Sequence, residues 1–294
     1  MATKSRITEE LKSFIEDNDD VLSSQTIATY TNDYRRFRAE MTNRKNIANL
    51  TQREIIDIVS NTELSKPNLL NIAIVILKWK NKEHSRLLKY RVDLLERTAE
   101  KQAKKNQDII EKSNTSYDDL MTALETATGS DYILFYLLIN LNTRNNDLII
   151  KLADPKEEIN DTDNFIVVGR NKATYIRNNY KTKKSYGAKS DVIRDVKFNK
   201  AVTTLFNDGY PYAFLNNKYK PYKQTEMGKF IASRFKKYLP ESSLSQAVIY
   251  KIIQQEAESN GNIKMMKNIA DSRGHSLLTQ LNSYSTTDFT NTEN

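Results

Sequence analysis

The 294-residue sequence has no cysteine, two histidines, seven glycines and five prolines. The missing cysteines exclude a disulfide scaffold, a cysteine nucleophile and a thiolate metal site. The two histidines, His84 and His275, lie far apart in the chain, which argues against a histidine zinc site. No metal or other cofactor is expected. So few glycines and prolines disfavour a turn-rich β architecture, and the wealth of Leu, Ile, Lys, Glu and Asn favours helices. Long apolar runs are also lacking. MATKSRITEELKSFIEDNDD has no apolar core of signal-peptide length. The runs NIAIVILKW (71–79) and YILFYLLINL (132–141) are too short to span a bilayer. A soluble intracellular protein without membrane partners is the expectation.

What is present is positive charge, a formal +8 with a pI near 9.3. That balance suits a polyanionic partner, nucleic acid ahead of a membrane surface. Between Arg170 and Lys200 ten Lys or Arg stand against two Asp, with Tyr175, Tyr180 and Tyr186 interleaved. A basic hairpin there could track phosphates. It could equally be a solvated edge whose lysines block aggregation.

Hydrophobic periodicity divides the chain. SSQTIATYTNDYRRFRAEM (23–41) sets Ile27, Tyr30, Tyr34 and Phe37 at helical spacing, with Ser23, Ser24 and Thr26 as cap candidates and Arg35, Arg36 and Arg38 on the other face. Thr51 and Glu54 form a capping box for a second helix. A third starts near Ser65-Lys66-Pro67, and a fourth covers 83–98. Residues 1–98 therefore read as a compact four-helix domain and the polar stretch 99–114 as a linker. A second domain, 115–294, opens with two helices. FIVVG (165–169), ATYIRNNYKT (173–182) and KSDVIRDV (189–196) then read as a three-stranded antiparallel sheet, and the remainder returns to helices. The fold class expected is mainly α with a small antiparallel β-sheet.

Three motifs carry chemistry. LNTRNNDL holds Arg144 and Asp147, NNYKTKKSYG holds Lys181, and RGHSLLTQLNSY sets His275 nine residues before Tyr284. Each residue alone has a plain explanation: an arginine at a helix end, a hairpin lysine, a turn histidine, one of sixteen tyrosines. Together, in this order, they supply a nucleophilic hydroxyl, cations for a phosphate and a proton donor.

The ordered set resembles the tyrosine recombinase (phage integrase) family, to which type IB topoisomerases are related. The resemblance covers nearly the whole chain. SSQTIATYTNDYRRF looks like the opening helix of the family's helical core-binding (SAM-like) domain, and 115–294 like its α+β catalytic domain. It implies a site-specific recombinase or integrase that cuts and rejoins double-stranded DNA through a 3′-phosphotyrosine, without metal or nucleotide, as a tetramer on DNA. By the same resemblance Tyr284 is the nucleophile, Arg144, His275 and Lys251 stabilise the phosphorane and Lys181 protonates the leaving oxygen. Arg35, Arg36, Lys183 and Lys184 would contact DNA, and the protein would act in the cytoplasm or nucleus, wherever that DNA lies.

One box departs from the pattern. Where the family has His-x-x-Arg, AVIYKIIQQ (247–255) offers Val248-x-x-Lys251. Lysine brings charge without the bidentate fork. A one-residue shift would put Tyr250 there, and Arg234 or Lys264 are other cations that could reach in. The alternatives are a catalytically weakened DNA-binding protein on the same fold, or DNA relaxation like that of a type IB topoisomerase. Only STTDFTNTEN follows Tyr284, with Phe289 as its single large apolar residue, which offers little for docking on a neighbouring subunit.

Overall fold

The computed structural model describes residues 9–18, 22, 24–41, 45–63 and 66–286. Ser23, Ser65 and the tail with Phe289 lie outside the described residues. The chain is mostly helical with a small mixed sheet, and it separates into two compact units, Met1–Thr98 and Ala99–Asn294. Among the described residues no helix is long and apolar enough to cross a membrane.

The first unit contains α1 (Glu9–Glu16), α2 (Ser24–Ala39), α3 (Gln52–Ser60), α4 (Lys66–Trp79) and the start of α5 (Ser85–Ser113). Thr51 accepts from the Glu54 N–H at 3.2 Å while the Thr51 N–H donates to the Glu54 carboxylate at 2.7 Å, so the expected capping box starts α3. Tyr34 and Phe37 of α2 pack with Ile55, Val59 and the apolar length of α4. Helix α1 closes this core with Leu11 and Phe14. The Phe14 ring meets Trp79 edge-on at 5.6 Å, and the Trp79 indole N–H donates to Asp17 at 3.0 Å. Between them Glu10 is a buried carboxylate with a defined task. It accepts from the Tyr34 hydroxyl at 2.6 Å and from the N–H groups of Ile47 and Ala48 at 2.9 and 2.8 Å, at the start of a short 3-10 turn.

The second unit is built around α7 (Gly129–Asn140), whose residues Ile133 to Phe135 and Leu137 to Ile139 are all buried. A helix apolar on every side must be enclosed. Those covering it include α6 (Tyr117–Thr126), α9 (Val196–Asn207) and α11 (Gln246–Ser259), with α10 (Gln224–Phe235) stacking Phe235 on Phe135 at 3.9 Å. Residues 99–113 are the continuation of α5 and bury Ala103, Asn106 and Ile110.

The sheet has four strands in the order β1 (Ile150–Ala153), β2 (Asn164–Val168), β3 (Ala173–Arg177), β4 (Lys189–Ile193). The expected antiparallel sheet is corrected in two ways. Strand β1 is added, and it runs parallel to β2 with Leu152 opposite Ile166. Its four residues are too short for a period of two to stand out beside the preceding apolar Ile149. The second correction is that β3 ends at Arg177 and not near Thr182. Residues 178–188 leave the ladder and carry a one-turn helix, α8 (Lys183–Tyr186). Helices α12 (Ile263–Arg273) and α13 (Leu277–Tyr284) close the unit.

Replacing Glu10 by Ala removes an acceptor from three buried donors. Glu10→Ala is expected to lower the stability of the first unit by about 3 kcal/mol. Trp79, the single tryptophan, lies in that unit, so denaturant unfolding followed by its fluorescence reads the change.

Candidate active site

Arg144 follows α7 at the head of a 3-10 turn, Asn145–Leu148. Asp147 accepts the Arg144 N–H at 3.0 Å and closes the turn. Two buried side chains fix it from the sheet. The Tyr175 hydroxyl donates to the Asp147 carbonyl at 2.6 Å. The Asn164 amide donates to the Asn146 and Asn179 carbonyls at 3.2 and 3.1 Å and accepts from the Asn179 N–H at 2.7 Å. Arg144 is thus tied to both β2 and the loop leaving β3.

The other half of the site is the α12–α13 corner. Gly274 ends α12 with φ +64°, the left-handed cap that glycine adopts without strain. Glycine is needed there for a second reason, since a Cβ would overlap Thr182 Oγ1. The Ser276 hydroxyl then accepts the Thr279 N–H at 3.2 Å and starts α13. Leu277 and Leu281 rest on the core, and Tyr284 ends the helix half-buried.

The corner brings His275 and Tyr284 together, their rings parallel to within 17° at 5.7 Å. Tyr250 of α11 meets the Tyr284 ring edge-on at 4.8 Å, and its hydroxyl lies 3.4 Å from His275 Nε2. Arg273, which sequence reasoning missed, lies over Tyr250 at 3.6 Å and over Tyr284 at 5.5 Å. Its only signal in the sequence was its place immediately before Gly274-His275.

Placement of the remaining sequence candidates differs. The side chain of Lys251 bonds Asn106 on α5 and joins neither Arg144 nor His275. Arg234 is engaged by Asp131 at 3.4 Å, and Lys264 is exposed. Lys181 is exposed and makes no hydrogen bond or ion pair among the described residues. Lys189 on β4 is the hairpin lysine that turns inward. It bonds the Asp271 carbonyl and lies 5.8 and 5.7 Å from the Tyr180 and Tyr186 rings, and its charge acts on His275. Lys183 reaches the Asp161 carbonyl, and Lys184 is exposed. Arg35 is exposed and Arg36 half-buried on α2, in the first unit.

The electrostatics are dominated by positive charge. Arg144 Nη1 and Arg273 Nε and Nη1 are buried and have no hydrogen-bond partner among the described residues. Burial and the charge of Arg144 both lower the Arg273 pKa, yet a guanidinium stays protonated at neutral pH. Asp147 is the buried carboxylate near both arginines. Burial raises its pKa, against lowering by the Arg144 N–H and by the charges of Arg177, Arg144 and Arg273. His275 is pushed below its ordinary 6.5 chiefly by burial, then by Arg273, Arg144 and Lys189. Lys189 is lowered first by burial and then by Arg177. Burial raises the Tyr250 phenol far above its usual value, so it remains a neutral hydroxyl. Such a pocket can bind a phosphate, hold a neutral imidazole beside a tyrosine and present an amine that releases its proton readily.

Among solved structures, the crystal structure of XerA recombinase aligns over 94% of this chain and 92% of its own, at 15% identity and a TM-score of 0.39. No family model matches the sequence, and no curated protein does.

Two predictions follow from this geometry. Gly274→Ala is expected to lower the melting temperature of the second unit through both backbone strain, about 1 kcal/mol, and overlap with Thr182. Adding Thr182→Ala should restore only the overlap part. For His275, the unfolded chain takes up a proton as pH falls through about 6.5 while the folded chain resists. The contribution of His275 to stability is therefore complete above that pH and is lost as pH falls through the folded pKa. An NMR titration should place the His275 midpoint below 6.5, and added inorganic phosphate should raise it by neutralising the two guanidiniums.

Proposed function

We propose that this protein cuts and rejoins duplex DNA through Tyr284. The observation that carries this reading is the set of buried guanidinium nitrogens without partners, Arg144 Nη1 and Arg273 Nε and Nη1, beside a tyrosine and a neutral histidine. It is supported by the likeness of LNTRNNDL and RGHSLLTQLNSY to tyrosine recombinase motifs.

In this mechanism the Tyr284 oxygen attacks the scissile phosphorus, and the bond from phosphorus to the 5′ oxygen breaks. The products are a 3′-phosphotyrosine and a free 5′-hydroxyl. His275, neutral beside the ring, accepts the tyrosine proton. Arg144 and Arg273 hold the nonbridging oxygens, where negative charge grows. Each can offer two N–H groups to one phosphate. Arg273 thereby fills the role for which the sequence suggested Lys251. Lys189, with its lowered pKa, gives its proton to the departing 5′ oxygen, in place of Lys181. A 5′-hydroxyl attacking the phosphotyrosine reverses these steps and restores Tyr284. The partner is double-stranded DNA, bound by a homo-oligomer, and the basic segment 170–200 contributes phosphate contacts.

A non-cleaving DNA-binding protein is favoured by one observation: the residue of α11 that faces His275 is Tyr250 and not a cation. A trapping assay on nicked duplexes from the protein's own genomic flanks separates the two readings. The expected result is a covalent adduct that Tyr284→Phe abolishes with DNA affinity retained. Persistent absence of an adduct, with DNA bound, supports the binding protein.

Assignment within the site is tested by substitution. Arg273→Ala should slow adduct formation by about 10²- to 10³-fold. Lys189→Ala should slow it by about 10²-fold or more, with recovery on a substrate whose 5′ leaving group needs no protonation. Lys251→Ala and Lys181→Ala should change it little. The opposite order would return the roles to Lys251 and Lys181.

A further inference from the structure

Helix α11 carries a polar stripe that the mechanism above does not use. Tyr250, Gln254 and Glu258 stand four residues apart, on one face of the helix. That face meets Gln280 and Thr286, on either side of Tyr284. Gln254 and Gln280 are both fully buried, so water does not compete for their amides. Glu258 is half-buried.

The bonds run in one direction. The Thr286 N–H and hydroxyl donate to Glu258 Oε2 at 2.9 and 2.8 Å. Gln254 Nε2 donates to Glu258 Oε1 at 2.6 Å. Gln280 Nε2 donates to Gln254 Oε1. Gln280 Oε1 then faces both the Tyr250 hydroxyl and, at 2.5 Å, His275 Nε2.

A carboxylate can only accept, whereas a primary amide has one accepting end and one donating end. With Glu258 at the start, Gln254 must turn its NH2 outward and its oxygen inward. Gln280 must then do the same. The last oxygen needs donors, so His275 Nε2 must carry the ring proton and Nδ1 is left as the acceptor. The Glu258 carboxylate thus dictates the tautomer of a histidine with which it shares no bond. Through Thr286 it also fixes the backbone two residues past Tyr284.

We propose that Glu258 is a positioning residue for the Tyr284 site, setting the His275 tautomer through Gln254 and Gln280 and anchoring the end of α13. Its role in cleavage rests on the function proposed above; its effect on His275 does not.

The test is long-range 1H–15N NMR of the His275 ring in the full chain without DNA. His84 is the one other histidine, and His84→Gln assigns the signals. The unsubstituted chain should show the Nε2–H tautomer. Glu258→Lys puts a donor in place of the acceptor, reverses both amides and should give Nδ1–H. Glu258→Gln, the milder change should the lysine variant not fold, should give a mixture. Adduct formation should fall by about tenfold or more in the lysine variant and less in the glutamine variant, with DNA affinity unchanged. A His275 spectrum that stays Nε2–H in a folded variant overturns the relay, whatever the cleavage result. Altered spectra in a protein that never cleaves DNA overturn the Tyr284 reading and, with it, the role of Glu258 in cleavage.

Discussion

The candidate site depends on how the C-terminus of α12 is held. The last carbonyls of a helix have no partners within it and carry its negative end. Here three successive ones receive donors from β3, β4 and the loop between them. Lys189 bonds Asp271, Arg177 bonds Ser272 at 2.9 Å, and Thr182 bonds Arg273 at 3.4 Å. The Ser272 hydroxyl in turn bonds the Leu141 carbonyl just before the Arg144 turn. The sheet, the Arg144 turn and the His275–Tyr284 corner are joined at one helix end. Arg177 is the firmest of these ties, fully buried and shared between Ser272 and Asp191, the latter at 2.7 Å.

That arrangement concentrates positive charge. Arg144, Arg177, Lys189 and Arg273 all act on their neighbours' titration, with Asp147 and Asp191 as nearby carboxylates. Buried cations without full pairing cost several kcal/mol each. The large core around α7 and the ties to α12 hold them in place against that cost. The place of Arg273 next to Tyr284 has a physical explanation under the proposed function, in which a phosphate completes the pairing. The same charges depress His275 and Lys189, so charge density and proton chemistry share one origin.

Helix α11 shows how one residue step separates two roles. Successive residues on a helix point about 100° apart. Tyr250 therefore faces His275 and Tyr284, while Lys251 faces Asn106 on α5. Asn106 also donates to the Ser285 carbonyl at 2.8 Å. Lys251 supports the segment after Tyr284 from behind, and the guanidinium that lies over Tyr250 and Tyr284 belongs to Arg273 at the end of α12.

Local patterns in the sequence were enough for the helical periodicity of α2 to α4, the Thr51–Glu54 capping box, the turn at Gly274 and the interval between His275 and Tyr284. Each depends on residues within about two helical turns, where spacing alone decides which side chains share a face. Strand β1 was not legible, because four residues beside an apolar neighbour carry no distinct period. Strand β3 ran too long in the sequence reading, because Tyr180 and Lys181 continue its alternation while the ladder stops at Arg177. That Arg273 lies over Tyr284 while Lys251 bonds Asn106, and that Lys189 turns inward while Lys181 is exposed, was decided by tertiary structure alone. Which cation reaches a shared point depends on helix rotation and strand register, set by packing between segments that are distant in the chain.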